Sequence, residues 1–494
     1  MAIGAGLVPA RVARPIRPGE RIHVVGAAGA GASAAALLAA AAGAIVTACD
    51  AGGASPYSAA LDAAGIIVIT GHDASHVTVE PPPDRLAVTK ALTAIDPDNP
   101  ELVVARERGI PVEAWQQVIA DAAHGRTLVA VAGTHGKSTT SGWLVQLLIE
   151  AGLDPSAFVG ALLPSELTGG SPATARTGQG TAFVVEADEY AGNFDAYRPH
   201  IAVLTSAEWD HPDVFADDAA VQATFARWLT GVENRGTIVA NTADEGVAAV
   251  VETVTDTRVL RVGLDAVDAD IRGRIIAADP DGTILELGGL PDSGGDAISV
   301  RLPTAGRHNA ANALTVAGAA VAIGVPTAAI VRGLQTFRGV GRRLERKGEA
   351  GGVVVYDDYG HHPTAIRETI DAIRQREPGR RVWAVYEPLT YHRTAALGPA
   401  FATSLSTADA VAIADIWAGR DPDTSIASAA GLAALVADAR PGITASAPGS
   451  VDATADWLAA NVRAGDAVLV MGGGNSYRIA TGLLDRLQGD AARR

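Results

Sequence analysis

Apolar positions along the chain gather into short runs at residues 21–25, 44–50, 65–69, 128–132, 182–186, 201–205, 353–358, 382–386, 410–414 and 467–471. Most are followed by a glycine-bearing or polar turn and then a stretch rich in alanine and leucine. Strands alternating with helices in this way predict parallel, doubly wound α/β sheets. A stretch from 237 to 300 reads differently, as strands separated by turn signals such as Asp279-Pro280-Asp281-Gly282. Asn99-Pro100-Glu101 marks a turn that opens a helix. A chain of 494 residues is too long for one core. The pattern divides it into a loose proline-bearing tail over 1–18, a first domain over 19–122, a central domain over 123–337 and a last domain over 338–494.

Composition narrows the classes. Apolar residues make up 48% and charged residues 19%, as in a soluble globular protein. The net charge of −16 argues against nucleic acid as the main partner. No run is long enough for a membrane span, and the alanine-rich stretch 34–44 is flanked by a glycine loop and a strand. The N-terminus lacks the apolar core of a signal peptide. Cys49, the single cysteine, cannot form an intramolecular disulfide, so a reducing cytoplasm fits. Its place at a strand end suggests a buried, inert thiol.

Candidate chemistry sits at strand ends. After the run 128–132 comes Gly133-Thr134-His135-Gly136-Lys137-Ser138-Thr139-Thr140, a strand, a glycine turn and a helix start. Glycines let backbone amides close around phosphate oxygens, lysine adds a point charge, and the following hydroxyl can hold magnesium. Only three lysines (Lys90, Lys137, Lys347) stand among 39 basic residues, and one is in this loop. Two later strands end in Glu186-Ala187-Asp188-Glu189 and Ser206-Ala207-Glu208-Trp209-Asp210-His211, a plausible magnesium site beside the loop. The first strand leads into Gly26-Ala27-Ala28-Gly29-Ala30-Gly31, and the second ends at Asp50. That is a dinucleotide-type pattern, weaker because the spacing is G-x-x-G-x-G. Asn309 and Asn312 share a helical face, where they can read a purine edge or cap the helix.

These motifs, in this order, resemble the Mur ligase family of ATP-dependent amide-forming enzymes over nearly the whole chain. The phosphate loop, the two acidic strand ends, His308-Asn309-x-x-Asn312-Ala313 and Asp357-Asp358-Tyr359-Gly360-His361-His362-Pro363 carry the resemblance. It implies an α/β fold of three domains: a Rossmann-like first domain, a central P-loop-type ATPase domain with a mostly parallel sheet, and a Rossmann-like last domain that closes the site. It implies ATP and magnesium, with UDP-N-acetylmuramate and L-alanine as the small-molecule substrates, in a monomer or homodimer. By the same resemblance, Gly26, Gly29, Gly31 and Asp50 would face the UDP-sugar. Lys137 would grip the β- and γ-phosphates, with Thr139 near the α-phosphate. Ser138, Glu186 and His211 would hold magnesium. Asn309, helped by Asn312, would contact adenine, Asp358 the ribose and Arg343 the γ-phosphate. His361 and Arg393 would line the reacting groups.

Departures from the family pattern fall in two places. Ala28 and Ala34 stand where glycine is usual. In the last domain, relatives usually read Gln-Pro-His-Arg-Tyr-x-Arg, whereas this chain reads Glu387-Pro388-Leu389-Thr390-Tyr391-His392-Arg393. Glu387-Pro388 points to a related ligase that takes a peptide in murein recycling. The altered loop also leaves open a nucleotide-binding homologue without turnover. No lysine lies between Lys137 and Lys347, so the central domain cannot use the carbamylated lysine of some members, as expected for an alanine-adding one.

Overall fold

The computed structural model describes residues 3–53, 55–419, 421 and 423–493, which form three sheet-containing domains. The first is a five-stranded parallel sheet in the order Val68–Thr70, Ile45–Asp50, Arg21–Val25, Arg85–Val88, Val112–Ala114. Helices Ala30–Ala41 and Trp115–Ala122 pack together on one face. Helices Pro100–Glu107 and Ser75–Thr78 cover the other. Asn99 caps Pro100–Glu107 by accepting from the Glu101 and Leu102 N–H groups, as the Asn-Pro-Glu signal implies. The strand expected at 65–69 starts later, at Val68, because Gly65 ends the preceding helix with φ +73°.

Residues 3–18 are not loose. Arg11 reaches Glu113 at 2.9 Å and Asp121 at 2.7 Å, Arg14 reaches Glu20 at 2.6 Å, and Ile16 is buried. Buried Arg85 joins the same acids, 3.0 Å from Glu20 and 2.8 Å from Glu113. The hydrogen bonds from Arg14 outweigh burial and hold the Glu20 carboxyl at about 2. The prolines that suggested a tail instead set an extended path along which two arginines meet acids far away in sequence.

The central sheet has ten strands, and its order fixes the site. Thr127–Ala132, which carries the phosphate loop, lies between Ile201–Leu204 and Ala182–Glu186, parallel to both. All three strands therefore end at the same edge, so the loop and both acidic clusters emerge side by side. The strand-rich stretch after 237 extends this sheet and finishes it with antiparallel strands Ile271–Asp279, Gly282–Gly288 and Ile298–Leu302. Helices Lys137–Glu150 and Arg307–Ile323 pack together over the sheet.

The last sheet has six strands in the order Glu345–Ala350, Val353–Asp358, Asp466–Gly472, Arg381–Glu387, Ala410–Ala414, Thr444–Gly449, parallel except for the first pair. It is docked on the central domain: Gln375 donates to the Gly282 carbonyl at 2.8 Å and Arg376 to the Pro303 carbonyl at 2.8 Å. Lys90 ties the first domain to the central one through the carbonyls of Ala191 and Gly192. Among the described residues no helix is long and apolar enough to cross a membrane.

Candidate active site

The phosphate loop needs its glycines. Gly133 has φ +134°, and a Cβ there would lie 2.2 Å from Thr205 Oγ1. Gly136 has φ +78°, and a Cβ there would lie 2.4 Å from Asn312 Oδ1. Helix Lys137–Glu150 then starts with no side-chain cap, leaving its first N–H groups for an anion. Lys137 Nζ donates to the Gly133 carbonyl at 2.6 Å and to Glu189 Oε2 at 2.9 Å. Burial opposes its charge, but Glu189, Asp188 and Glu186 outweigh burial and raise its pKa, so it is an ammonium.

Beside it, Ser138 Oγ donates to Glu186 Oε1 at 3.0 Å, and Glu186 Oε2 accepts the Gly160 N–H at 2.7 Å. Arg343, from the last domain, donates to Ser138 Oγ at 2.8 Å. Asp188, Glu189 and His211 bring ligand atoms within 4.8 Å of one another. Hydroxyl, carboxylates and one imidazole form an oxygen-rich donor set that fits a hard divalent cation. Asp188 and Glu189 were not singled out by sequence reasoning, although the acidic strand end containing them was.

The last domain closes the site from above. Arg393, 3% exposed, donates to Asp210 Oδ1 at 2.7 Å and to His211 Nδ1 at 3.0 Å. Burial opposes the Asp210 charge, yet His211 and Arg393 pull its pKa well below the carboxylate range. His361 Nδ1 lies 2.9 Å from the Tyr359 carbonyl, with Nε2 3.9 Å from Asp210 Oδ2. Burial, then Arg393, holds the His361 pKa well below its usual value, so the ring is neutral. His135 and Thr364 both bind Glu208, at 2.9 and 2.6 Å, a second strap between the two domains.

Other expected residues also make contacts within the protein. Asn309 donates back to the Ala305 carbonyl at 2.8 Å and is not the helix cap, which is Gly306. Asn312 packs under Gly136 and braces the loop. Asp358 accepts from the Leu344 and Gly360 N–H groups, each at 2.7 Å, so it shapes the turn carrying Arg343. Asp50 accepts from the Ala28 N–H at 2.9 Å and the Gly52 N–H at 2.7 Å and braces the first-domain glycine turn. Gly31 is required by packing, since a Cβ there would lie 2.1 Å from Trp115.

A cavity of about 1490 Å³ connects these groups. Residues 134–139, Asn309, Asn312, Arg343, Asp358, His361 and Arg393 line it, and the first domain contributes Gly31, Tyr57 and Trp115. Gly26, Gly29 and Asp50 lie outside its lining.

A phosphate-loop domain whose site is completed by two further α/β domains defines a class of multidomain nucleotide-dependent protein. Three family models match successive parts of the chain: Mur ligase family, catalytic domain, over 21–127; Mur ligase middle domain over 131–320; and Mur ligase, glutamate ligase domain, over 342–474. The chain belongs to the Mur ligase family. It is 38% identical over 479 residues to a protein of Mycolicibacterium smegmatis named UDP-N-acetylmuramate–L-alanine ligase, covering 95% of each chain. A protein of Kineococcus radiotolerans with the same name is 39% identical, covering 94% of this chain and 96% of its own. Among solved structures, a murein peptide ligase from Psychrobacter arcticus is 27% identical with a TM-score of 0.71, covering 95% of this chain and 99% of its own. A UDP-N-acetylmuramate–alanine ligase from Thermotoga maritima shares the fold, with a TM-score of 0.77, 22% identity and the same coverage.

Proposed function

We propose that this Mur ligase joins L-alanine to the carboxylate of UDP-N-acetylmuramate at the expense of ATP, in peptidoglycan precursor synthesis. The observation that carries the reading is the cavity of about 1490 Å³, which opens the phosphate loop, the first-domain helix start and the last-domain residues His361, Thr390 and Arg393 to one another. The names of the full-length relatives agree with it.

A carboxylate resists attack by an amine because an oxide is a poor leaving group. Phosphoryl transfer from ATP gives an acyl phosphate, and the alanine amine then displaces phosphate through a tetrahedral intermediate. Lys137 and the loop amides orient the β- and γ-phosphates, and Arg343 approaches the transferring group from the last domain. Ser138, Glu186 and the cluster of Asp188, Glu189 and His211 would hold magnesium, which neutralises phosphate charge. His361, with Nδ1–H donated to Tyr359, presents a free Nε2 lone pair that accepts a proton from the attacking amine.

One observation favours a second reading. Glu387-Pro388 replaces the usual Gln-Pro, and the structural neighbour from Psychrobacter arcticus is named a murein peptide ligase. Phosphate release is measured with UDP-N-acetylmuramate or free N-acetylmuramate against L-alanine, other amino acids and short murein peptides. Release that requires UDP-N-acetylmuramate and L-alanine together supports the first reading. Release only with a peptide moves the chain to the second.

A further inference from the structure

The first domain holds a second cluster, on the sheet face turned away from helices Ala30–Ala41 and Trp115–Ala122. His23 on strand Arg21–Val25, Cys49 on strand Ile45–Asp50, His76 on helix Ser75–Thr78 and Glu101 on helix Pro100–Glu107 bring one ligand atom each to within 4.8 Å of the others. Cys49 Sγ lies 3.1 Å from Glu101 Oε1, His76 Nδ1 lies 2.5 Å from the same oxygen, and His23 Nε2 lies 3.8 Å from it. A tetrahedral zinc ion with bonds of about 2.0–2.3 Å spaces its donors by roughly 3.3–3.8 Å, so modest side-chain shifts would complete its shell.

His23 supplies an independent observation. The ring is 0% exposed, and Nε2 has no hydrogen-bond partner. Its Nδ1 lies 2.8 Å from Thr47 Oγ1. When Thr47 accepts the Nδ1 proton, Nε2 presents its lone pair to the Glu101 carboxylate 3.8 Å away, the tautomer a metal ligand needs. A ligating histidine usually donates its other ring N–H to a neighbour that fixes its tautomer and orientation, the place Thr47 Oγ1 takes here.

We propose that His23, Cys49, His76 and Glu101 form a four-ligand site for a zinc-class divalent cation, separate from the magnesium chemistry of the phosphate loop. One thiolate and one carboxylate neutralise the ion, and the sulfur and imidazole donors select zinc or cobalt over magnesium or calcium. Cys49 and Glu101 are fully buried and only His76 reaches the surface, so the site is closed, in the manner of structural zinc. It joins two strands and two helices. The Cys49 carbonyl also accepts the Gly26 and Ala27 N–H groups at 2.9 and 3.1 Å, so the ion would anchor the turn that leads into helix Ala30–Ala41.

The full chain is stripped with chelator and titrated with cobalt in excess magnesium, which occupies the oxygen-rich site. One cobalt per chain is expected, with a sulfur-to-cobalt charge-transfer band, displacement by zinc and a raised melting temperature with zinc. Cys49→Ser removes the sulfur band, and His76→Asn, at the surface edge, weakens cobalt binding more than tenfold. Thr47→Val weakens it roughly tenfold through ring orientation. Lys137→Ala leaves the band unchanged. If Cys49→Ser does not fold, His76→Asn and Thr47→Val carry the test. No sulfur band in the folded wild type, a band surviving in Cys49→Ser, or affinity unmoved by His76→Asn overturns the proposal.

Discussion

Lys137 is held by a carbonyl and a buried carboxylate before any nucleotide arrives, at 2.6 Å from Gly133 O and 2.9 Å from Glu189. Its charge is thus paired at rest and aimed along the loop. Lys137→Ala is expected to lower turnover by about 10³-fold or more, in line with the loss of a transition-state charge contact; turnover near the wild-type level would remove the loop from the mechanism. Glu387 gives a pH signature. It is 2% exposed with an unpartnered Oε2, and burial raises its pKa to about 7. A carboxyl raised on folding binds its proton more tightly in the native state, so its contribution to stability is full below about pH 4.5 and is lost as pH rises through 7. Glu387→Gln mimics the protonated form, so the variant should gain about 1–3 kcal/mol relative to wild type on going from pH 5 to pH 8, read by denaturant melts. At this scale the sequence was partly legible. Lys137, Ser138 and Glu186 stand out by motif, whereas Asp188 and Glu189 come beside Lys137 and His211 only where a strand end turns beside its neighbours. Asp50 shows a second use that no motif announces, since its oxygens accept from the Ala28 and Gly52 amides.

Among elements, strand order decides more than any single run. Placing Thr127–Ala132 between the strands ending at Glu186 and Leu204 is what assembles the site, and no local pattern states that order. The apolar runs did reveal the central strands, because a strand buried by parallel neighbours reads as a continuous apolar stretch. The tail at 3–18 was misjudged because its partners, Glu113 and Asp121, lie about a hundred residues away. The cluster around Glu101 was missed for the same reason, its ligands being spread from 23 to 101 without a metal spacing. Helix Ala30–Ala41 offers a test of packing against ligand contact. Gly31→Ala would push a methyl group into Trp115, so the substrate-free protein should lose about 1–3 kcal/mol. An unchanged melting temperature with a raised KM would assign Gly31 to the substrate alone.

The whole molecule works through its domain contacts. Arg393 joins the last domain to Asp210 and His211, and Thr364 and His362 add bonds to Glu208 and Trp209. Arg393→Ala leaves Asp210 buried without its main cation, a loss of about 3–5 kcal/mol to docking. Small-angle scattering should show a larger radius of gyration and kinetics a lower kcat; an unchanged radius would mean that the other straps suffice. That three domains were legible from sequence follows from ordered motifs; which face of each domain meets the others was not, because those contacts join residues like Arg343 and Ser138 across the chain.

The most direct test of the account is phosphate release from ATP by the purified chain with each acceptor and amine present singly and together. Release is expected only when UDP-N-acetylmuramate and L-alanine are both present, with formation of their amide. Release that needs neither, or that occurs with a peptide and not with L-alanine, would contradict it.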